Sequence, residues 1–346
     1  MQLRAISSFA LVAILASPLA AQSSRHTISG RDVAIYNLAG DVRVEAGTGP
    51  DVVAEITRAG SDASQLRIES GPVRGRQTLR VIYPGNRIVY PALGERSHTE
   101  TTVRDDGTFG DDHDDSHRVT IAGSGRGLEA AADMRVLIPK GQRAAIYLAV
   151  GKITVTNVDG DLTLDAASAN VDASGTAGTL RIDVGSGSVR VTGGEGDIDI
   201  DTGSGDVALE RLRGRQVRID TGSGEVTARG LAANELHVDT GSGSVRLAAI
   251  SASRASLDTG SGTIEIDSDG RLEEVTAETG SGDITIRAPG SLSAAVDIET
   301  SSGSIDSDFD IAITRREEDH IVGRIGSGNG RIRLESGSGD VRLVRK

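Results

Sequence analysis

Along the second half of the chain, apolar and polar residues alternate in short runs that break at fixed places. Val217, Ile219 and Thr221 fall on one side of an extended chain, Arg218 and Asp220 on the other. After a Gly-Ser-Gly interruption the alternation resumes, with Val226 inward and Glu225 and Thr227 outward. Strict period-two alternation over four to six residues predicts a half-buried strand. The same register recurs at Leu180/Ile182 with Val189/Val191, at Leu236/Val238 with Val245/Leu247, and at Val275/Ala277 with Ile284/Ile286.

The interruptions are near-copies of one another. Asp-Thr-Gly-Ser-Gly begins at Asp201, Asp220, Asp239 and Asp258, each copy 19 residues after the last. Looser versions begin at Asp183, Glu278, Glu299, Arg324 and Glu335. A constant period of about 20 residues marks a chain built by stacking one unit on itself. Two short strands and two turns per period predict an all-β fold, a parallel β-solenoid of about 19–20 residues per coil. An antiparallel meander could use the same residues. Identical turns at identical places favour coil-on-coil stacking. In this reading the glycines flank a small Ser at each corner and supply positive φ for a sharp turn.

The first 127 residues are less regular. Residues 1–21 read as a secretory signal: Arg4, a short apolar run, then Pro18-Leu19-Ala20-Ala21 before a cleavage site. Residues 22–127 read as an irregular N-terminal β region, plausible as a cap, and 128–346 as the repeat domain. Within the former, 92–127 reads as a mobile acidic loop around Asp105-Asp106-Gly107-Thr108-Phe109-Gly110-Asp111-Asp112-His113-Asp114-Asp115, too polar to order itself. A second interruption at 314–319 reads as a loop bulging from a closed coil, and 341–346 as an open last strand guarded by its basic end.

Composition narrows the classes. Gly makes up 45 of 346 residues, aromatics only 2%, and Trp is absent, so the core must be thin and aliphatic. Net charge is −13, and −14 without residues 1–21, which remove Arg4 and no acid. That surface does not suit nucleic acid or anionic lipid. With no Cys there are no disulfides and no thiolate metal sites. No segment after residue 21 is long and apolar enough to span a membrane as a helix.

Several motifs invite a chemical reading. Ile-Asp-Thr-Gly-Ser resembles the sequence around an aspartic-protease carboxylate, but that mechanism needs two facing aspartates sharing a proton. Four copies in tandem predict successive coils of one face instead. The outward acids, with Asp201, Asp220, Asp239, Asp258 and Glu278 at the centre, would repel at one-coil spacing. Turn capping with solvation answers that repulsion; a weak Ca²⁺-binding ladder is the alternative. The residue after the second Gly varies freely (Asp206, Glu225, Ser244, Thr263, Asp283). His98, His113, His117 and the acids of the loop have metal-ligand types without a defined spacing. The Thr202, Thr221, Thr240, Thr259, Thr279, Thr300 rank falls inward or at the corner, unlike a flat ice-binding face. A β-helix carbohydrate-active enzyme would want clustered acids, long loops and aromatic platforms, whereas the regular repeats from Leu180 onward hold one aromatic, Phe309.

The step Met134-Arg135-Val136-Leu137-Ile138-Pro139-Lys140-Gly141, followed by Gly151-Lys152-Ile153-Thr154-Val155 and the Gly-Ser-Gly copies up to Gly339-Asp340-Val341, resembles the bacterial putative-adhesin family of β-strand-repeat proteins. The resemblance covers about 30–346 apart from the acidic loop. It implies an exported, non-enzymatic β-solenoid with no cofactor, binding an envelope or extracellular protein or glycan from the periplasm, cell surface or medium. It carries over no catalytic residues. A periplasmic accessory or sensor linked to envelope-stress regulation is the second role it leaves open.

Overall fold

A computed structural model describes residues 23–110 and 116–346. The export signal read over 1–21 and the acidic run 111–115 lie outside them. The described chain is all-β, with two single-turn 3₁₀ segments, Ala63–Gln65 and Pro91–Leu93, as its helical content. Among the described residues no helix is long and apolar enough to cross a membrane.

The alternation read from the sequence is the burial pattern. Val217, Ile219 and Thr221 are buried while Arg218 is exposed. From Gln142 to Ala288 each strand pairs in parallel with its counterpart 18 to 20 residues away. One inward column runs Leu162, Leu180, Ile198, Val217, Leu236, Ala255, Val275. A second runs Val171, Val189, Val207, Val226, Val245, Ile264, Ile284. The two columns belong to successive strands of each period and are joined in one continuous buried cluster. Burying such β-branched and aliphatic side chains contributes roughly 1.5–3 kcal/mol each.

The corner glycines serve a different purpose from the one expected of them. Among the Gly-Ser-Gly pairs of the parallel stack, only Gly187 and Gly205 have φ in the left-handed half of the map. What the others require is room. A Cβ on Gly222 would stand 2.6 Å from the carbonyl oxygen of Gly203, and one on Gly241 2.5 Å from that of Gly222. The second glycine of each pair is equally closed, with Gly243 against Gly224 and Gly262 against Gly243. The left-handed residues sit at the other corner, at Asn157, Gly175, Gly193, Arg211, Gly230 and Ala249, with φ between 53° and 67°. These follow paired positions on successive strands. The sequence hides this corner because only half of its residues are glycine.

Both ends of the stack differ from the linear reading. Strand Asp32–Gly47, read as part of an irregular region, runs parallel to Gln142–Thr156 along nearly its whole length, from Asp32↔Arg143 to Glu45↔Thr156. It is thus the coil that precedes residue 142. Ala131–Pro139, Val52–Ala59 and Ser23–Ile28 continue the sheet beside it. The loop expected over 92–127 holds a hairpin, His98–Arg104 with Ser116–Ala122, in a four-stranded sheet with Arg87–Val89 and Leu128–Glu129. Its acids hid the few apolar residues that order it, since Ile88, Val103, Phe109, Val119 and Ile121 are all buried. Two nearly buried arginines pin the turn: Arg80 Nη1 donates to the Asp106 carbonyl at 2.7 Å, and Arg104 Nη1 to Thr108 Oγ1 at 3.1 Å. Burial alone would raise the Asp106 carboxyl; two hydrogen bonds from Thr108, with Arg80 and Arg104, hold it below its ordinary value.

At the far end the chain leaves sequence order. Strand Gly330–Ser336 inserts between Ile264–Thr279 and Ala294–Thr300, and Val341–Arg345 between Ile284–Ala288 and Ile305–Ser307. The C-terminal strand is therefore no open edge. Lys346 closes it by pairing with Asp267 and Asp269, and the Arg345 guanidinium lies 5.0 Å from the centre of the Phe309 ring. The insertion read as a bulging loop is a hairpin, Ala312–Arg316 with His320–Ile325, laid antiparallel on Ala294–Thr300. Among the described residues Ala312–Arg316 and the three-residue Ile305–Ser307 are the strands at this end paired on one side only; on the former, Arg315 and Arg316 discourage further pairing.

These contacts separate the two corners experimentally. Gly243→Ala should destabilise the protein by about 2–3 kcal/mol because neither backbone can retreat. Ala249→Gly should stabilise it by about 0.5–1 kcal/mol through relief of the left-handed strain. Urea unfolding of both variants reads the contrast, and equal effects of the two would contradict it.

Candidate functional site

The outward residue before each Thr-Gly corner forms one continuous row. Parallel register places Asp165 beside Asp183, then Asp201, Asp220, Asp239, Asp258 and Glu278. The row continues through Glu335 and only then Glu299, because the C-terminal strand is inserted between their coils. Arg324, at the start of a degenerate copy, is elsewhere: it lies on the terminal antiparallel hairpin opposite Ala295 and Ala312. Asp165 escaped notice because Ala-Ala-Ser, not Thr-Gly-Ser, follows it.

Before Asp165 the row becomes aromatic. Tyr147 stands beside Asp165 and Tyr36 beside Tyr147. Their rings stack at 4.4 Å and 6°, and Phe109 packs edge-on against both, 5.7 Å from Tyr36 and 6.3 Å from Tyr147. The hairpin tip therefore covers the start of the row. A Cβ on Gly110 would come within 2.9 Å of the Tyr147 ring and 3.3 Å of Asp165 Oδ2, so only glycine lets the tip lie so close.

Adjacent parallel strands are ~4.8 Å apart, so neighbouring carboxylates repel. Cations relieve parts of the row: Arg218 lies 3.6 Å from Asp220, and Arg333 lies 3.0 Å from Glu335 and 3.9 Å from Glu278. Among the described residues, Asp183, Asp201, Asp239 and Asp258 are in no ion pair. Partial burial and the like charges of Asp183, Asp220 and Asp199 raise the Asp201 carboxyl, with Arg218 opposing. Burial and Asp239 do the same to Asp258, against a smaller opposing effect of His237.

The expected turn capping falls to a different residue. No backbone N–H donates to the four unpaired aspartates among the described residues. At several copies the position after the second glycine, which looked free to vary, accepts from the backbone of the next coil. Asp206 Oδ1 accepts from Glu225 N at 2.9 Å, Asp283 Oδ1 from Asp340 N at 2.9 Å, and Asp340 Oδ1 from Ser304 N at 2.9 Å. Asn170 accepts likewise from Ser188 N at 3.0 Å. The shared property is an oxygen acceptor, which variation among Asn, Asp and Ser conceals. The Thr rank faces inward and is buried. Thr259 and Thr279 Oγ1 donate to the carbonyls of Gly243 and Gly262, each at 2.9 Å, and Thr300 to Gly339 at 2.8 Å. The buried hydroxyls of Thr202 and Thr221 have no partner among the described residues.

The proposed cation ligands Asp201, Asp220, Asp239, Asp258 and Glu278 thus stand in a line, one per strand. Among the described residues no three acids or histidines converge on one point. His98 and His117 share the hairpin without meeting across it, since His98 pairs with Ala122 and His117 with Val103; His113 lies outside the described residues.

A folded-state value above the ordinary Asp value of 3.8 means that the folded protein holds the proton more tightly than the unfolded chain. Asp201 and Asp258 therefore favour folding below that range and oppose it once pH rises through their folded values. Asp201→Asn should raise stability at pH 7 by about 0.2–1 kcal/mol, the scale of an exposed like-charge pair. The gain should shrink at about pH 3.5, where the wild-type carboxyl is protonated. Denaturant unfolding at the two pH values checks this, and a gain independent of pH would refute it.

The family described as Toastrack DUF4097 matches residues 95–344. No functionally curated protein matches the chain. Among solved structures, a "putative cell adhesion protein" from Clostridium sporogenes ATCC 15579 aligns with 9% identity and a TM-score of 0.23, over 94% of this chain and 100% of that one. A "putative adhesin" from Bacteroides fragilis NCTC 9343 aligns with 11% identity and a TM-score of 0.36, over 93% of this chain and 96% of that one. The match to the family spans most of the chain, including the hairpin of His98–Arg104 with Ser116–Ala122, the parallel stack from Gln142 onward and its inserted C-terminal strand: the protein belongs to the Toastrack DUF4097 family.

Proposed function

We propose that this protein is an exported, non-enzymatic parallel β-solenoid that acts as a binding module at the cell envelope or surface, with the carboxylate row as its recognition face. The observation that carries this reading is the register of the row. Nine acids from Asp165 to Glu299 stand on consecutive strands, and four of the central ones are in no ion pair among the described residues. Strands paired on both sides hold their side chains at fixed intervals, so a partner with regularly spaced positive groups can meet many of them at once. Such repeated weak contacts add up without any one being strong.

The environment of the acids also supports binding over catalysis. A general acid–base pair needs two carboxyls pushed to opposite protonation states and aimed at one substrate atom. Asp201 and Asp258 are shifted in the same direction and stand on different coils of one outward column. Divalent cations, Ca²⁺ included, would act here by screening or bridging the row.

Two measurements test the reading. The combined variant Asp201→Asn, Asp239→Asn, Asp258→Asn should bind poly-L-lysine surfaces about tenfold less tightly than wild type at equal low salt, and wild-type binding should weaken as salt rises. Unchanged binding would remove the row as the recognition face. Protease treatment of intact cells should degrade the protein if it is displayed outside. Protection until the outer membrane is opened would favour the periplasmic role instead.

A further inference from the structure

Away from the carboxylate row, a groove of about 470 Å³ lies where the segment around Pro91–Leu93 crosses the stack. One wall is Tyr90 and Leu93; the floor is Ser168 and Ser186, neighbours in register on adjacent strands. Asp41 and Asn170 close it, with Lys152 at the rim. Elsewhere the outward face is lined with inter-coil ion pairs, such as Arg254 bridging Glu235 at 2.8 Å and Glu274 at 3.1 Å. This groove instead sets a half-buried aromatic ring beside neutral hydroxyls and an amide.

Its polar groups are available. Asn170 Oδ1 is committed to Ser188, accepting from its N–H at 3.0 Å and its hydroxyl at 3.1 Å, which leaves the amide nitrogen with no protein partner. The hydroxyls of Tyr90, Ser168 and Ser186 and the carboxylate of Asp41 likewise have none among the described residues. Lys152 is already neutralised by Asp172 at 2.6 Å. Burial, with Asp41 and Asp133, pushes the Tyr90 phenol up to about 12, so it remains a donor throughout the physiological range.

We infer that this groove is a binding site for neutral oligosaccharides. A sugar ring has one face of C–H groups that packs on an aromatic ring and a rim of hydroxyls that need both donors and acceptors. Tyr90 supplies the platform, Asn170 and the serines supply donors, and Asp41 supplies the acceptor. Anionic sugars are disfavoured because the one cation is already paired. An extended peptide finds no free backbone here, since Gln142–Thr156 and Gly160–Ser174 are each paired on both sides. The inference adds a second site to the binding module proposed above and does not depend on the carboxylate row.

The probes are neutral hexasaccharides (cellohexaose, maltohexaose, chitohexaose) titrated calorimetrically into the full chain. At least one should bind; Tyr90→Ala should weaken it about tenfold and Tyr90→Phe far less, because the ring carries the stacking. Ser186→Arg, which obstructs the floor and leaves Tyr90 in place, should abolish binding with the circular dichroism spectrum retained, guarding against a misfolded Tyr90→Ala. The Asp201→Asn, Asp239→Asn, Asp258→Asn variant should bind the sugar like wild type, which separates this site from the row. No binding of any of the three sugars would overturn the assignment, as would binding indifferent to Ser186→Arg. Retained poly-L-lysine binding in either case would leave the carboxylate-row reading intact.

Discussion

Close backbone contact between successive coils is the constraint on which the rest of this structure depends. Parallel pairing holds each strand ~4.8 Å from the next, and the corners must turn without moving the strands apart. At the Gly-Ser-Gly corner this brings one glycine's Cα against the carbonyl oxygen of the glycine one coil earlier, leaving no space for a Cβ. The first glycine N–H donates to the preceding coil, as Gly241 N does to Thr221 O at 3.0 Å and Gly260 N to Thr240 O at 3.1 Å. At the later corners the buried Thr hydroxyl donates to the carbonyl of the preceding coil's second glycine, as Thr259 does to Gly243, and an acid after the second glycine, such as Asp206, accepts from the next coil's backbone. Four positions of the repeat are thus consumed by one contact.

The exposed row is a consequence of that contact. The acid immediately before the inward Thr must point outward, because side chains alternate across a strand. Stacking then aligns it with its copies and sets the repulsion between them. The structure relieves this selectively, by Arg218 and Arg333 at particular rungs, and among the described residues leaves Asp183, Asp201, Asp239 and Asp258 in no ion pair. A surface that carries unrelieved charge at regular spacing is costly to stability and available to a partner for the same reason.

The two ends show how the stack is closed. Tyr36 and Tyr147 continue the row as stacked rings and receive Phe109 from the hairpin that Arg80 and Arg104 hold down. At the other end the terminal strand turns back into the stack, so that the antiparallel hairpin of Ala312–Arg316 and His320–Ile325 forms the last layer. Inserting the C-terminus between two earlier coils removes the chain end from the exposed edge. Ala312–Arg316, short and basic, takes its place there.

The repeat, the alternation and the inward aliphatic columns were legible in the sequence because each is periodic, and periodicity survives without knowledge of contacts. From Val217, Ile219 and Val226 alone one can assign strands, faces and the outward position of Asp220. Three things were not legible. The role of the corner glycines depended on a neighbour 19 residues away, since the obstacle to a Cβ is another coil's carbonyl. The order of the last coils depended on which equivalent edges pair: sequence order would set Val296 beside Val275, whereas Ile332 stands between them and pairs with both. The groove at Tyr90 required Asp41, Tyr90 and Ser186, far apart in the chain, to meet, and no local pattern records such a meeting. Sequence by itself determined the unit that repeats; tertiary structure decided how the units end and what their surfaces enclose, because those depend on contacts between residues that no period relates.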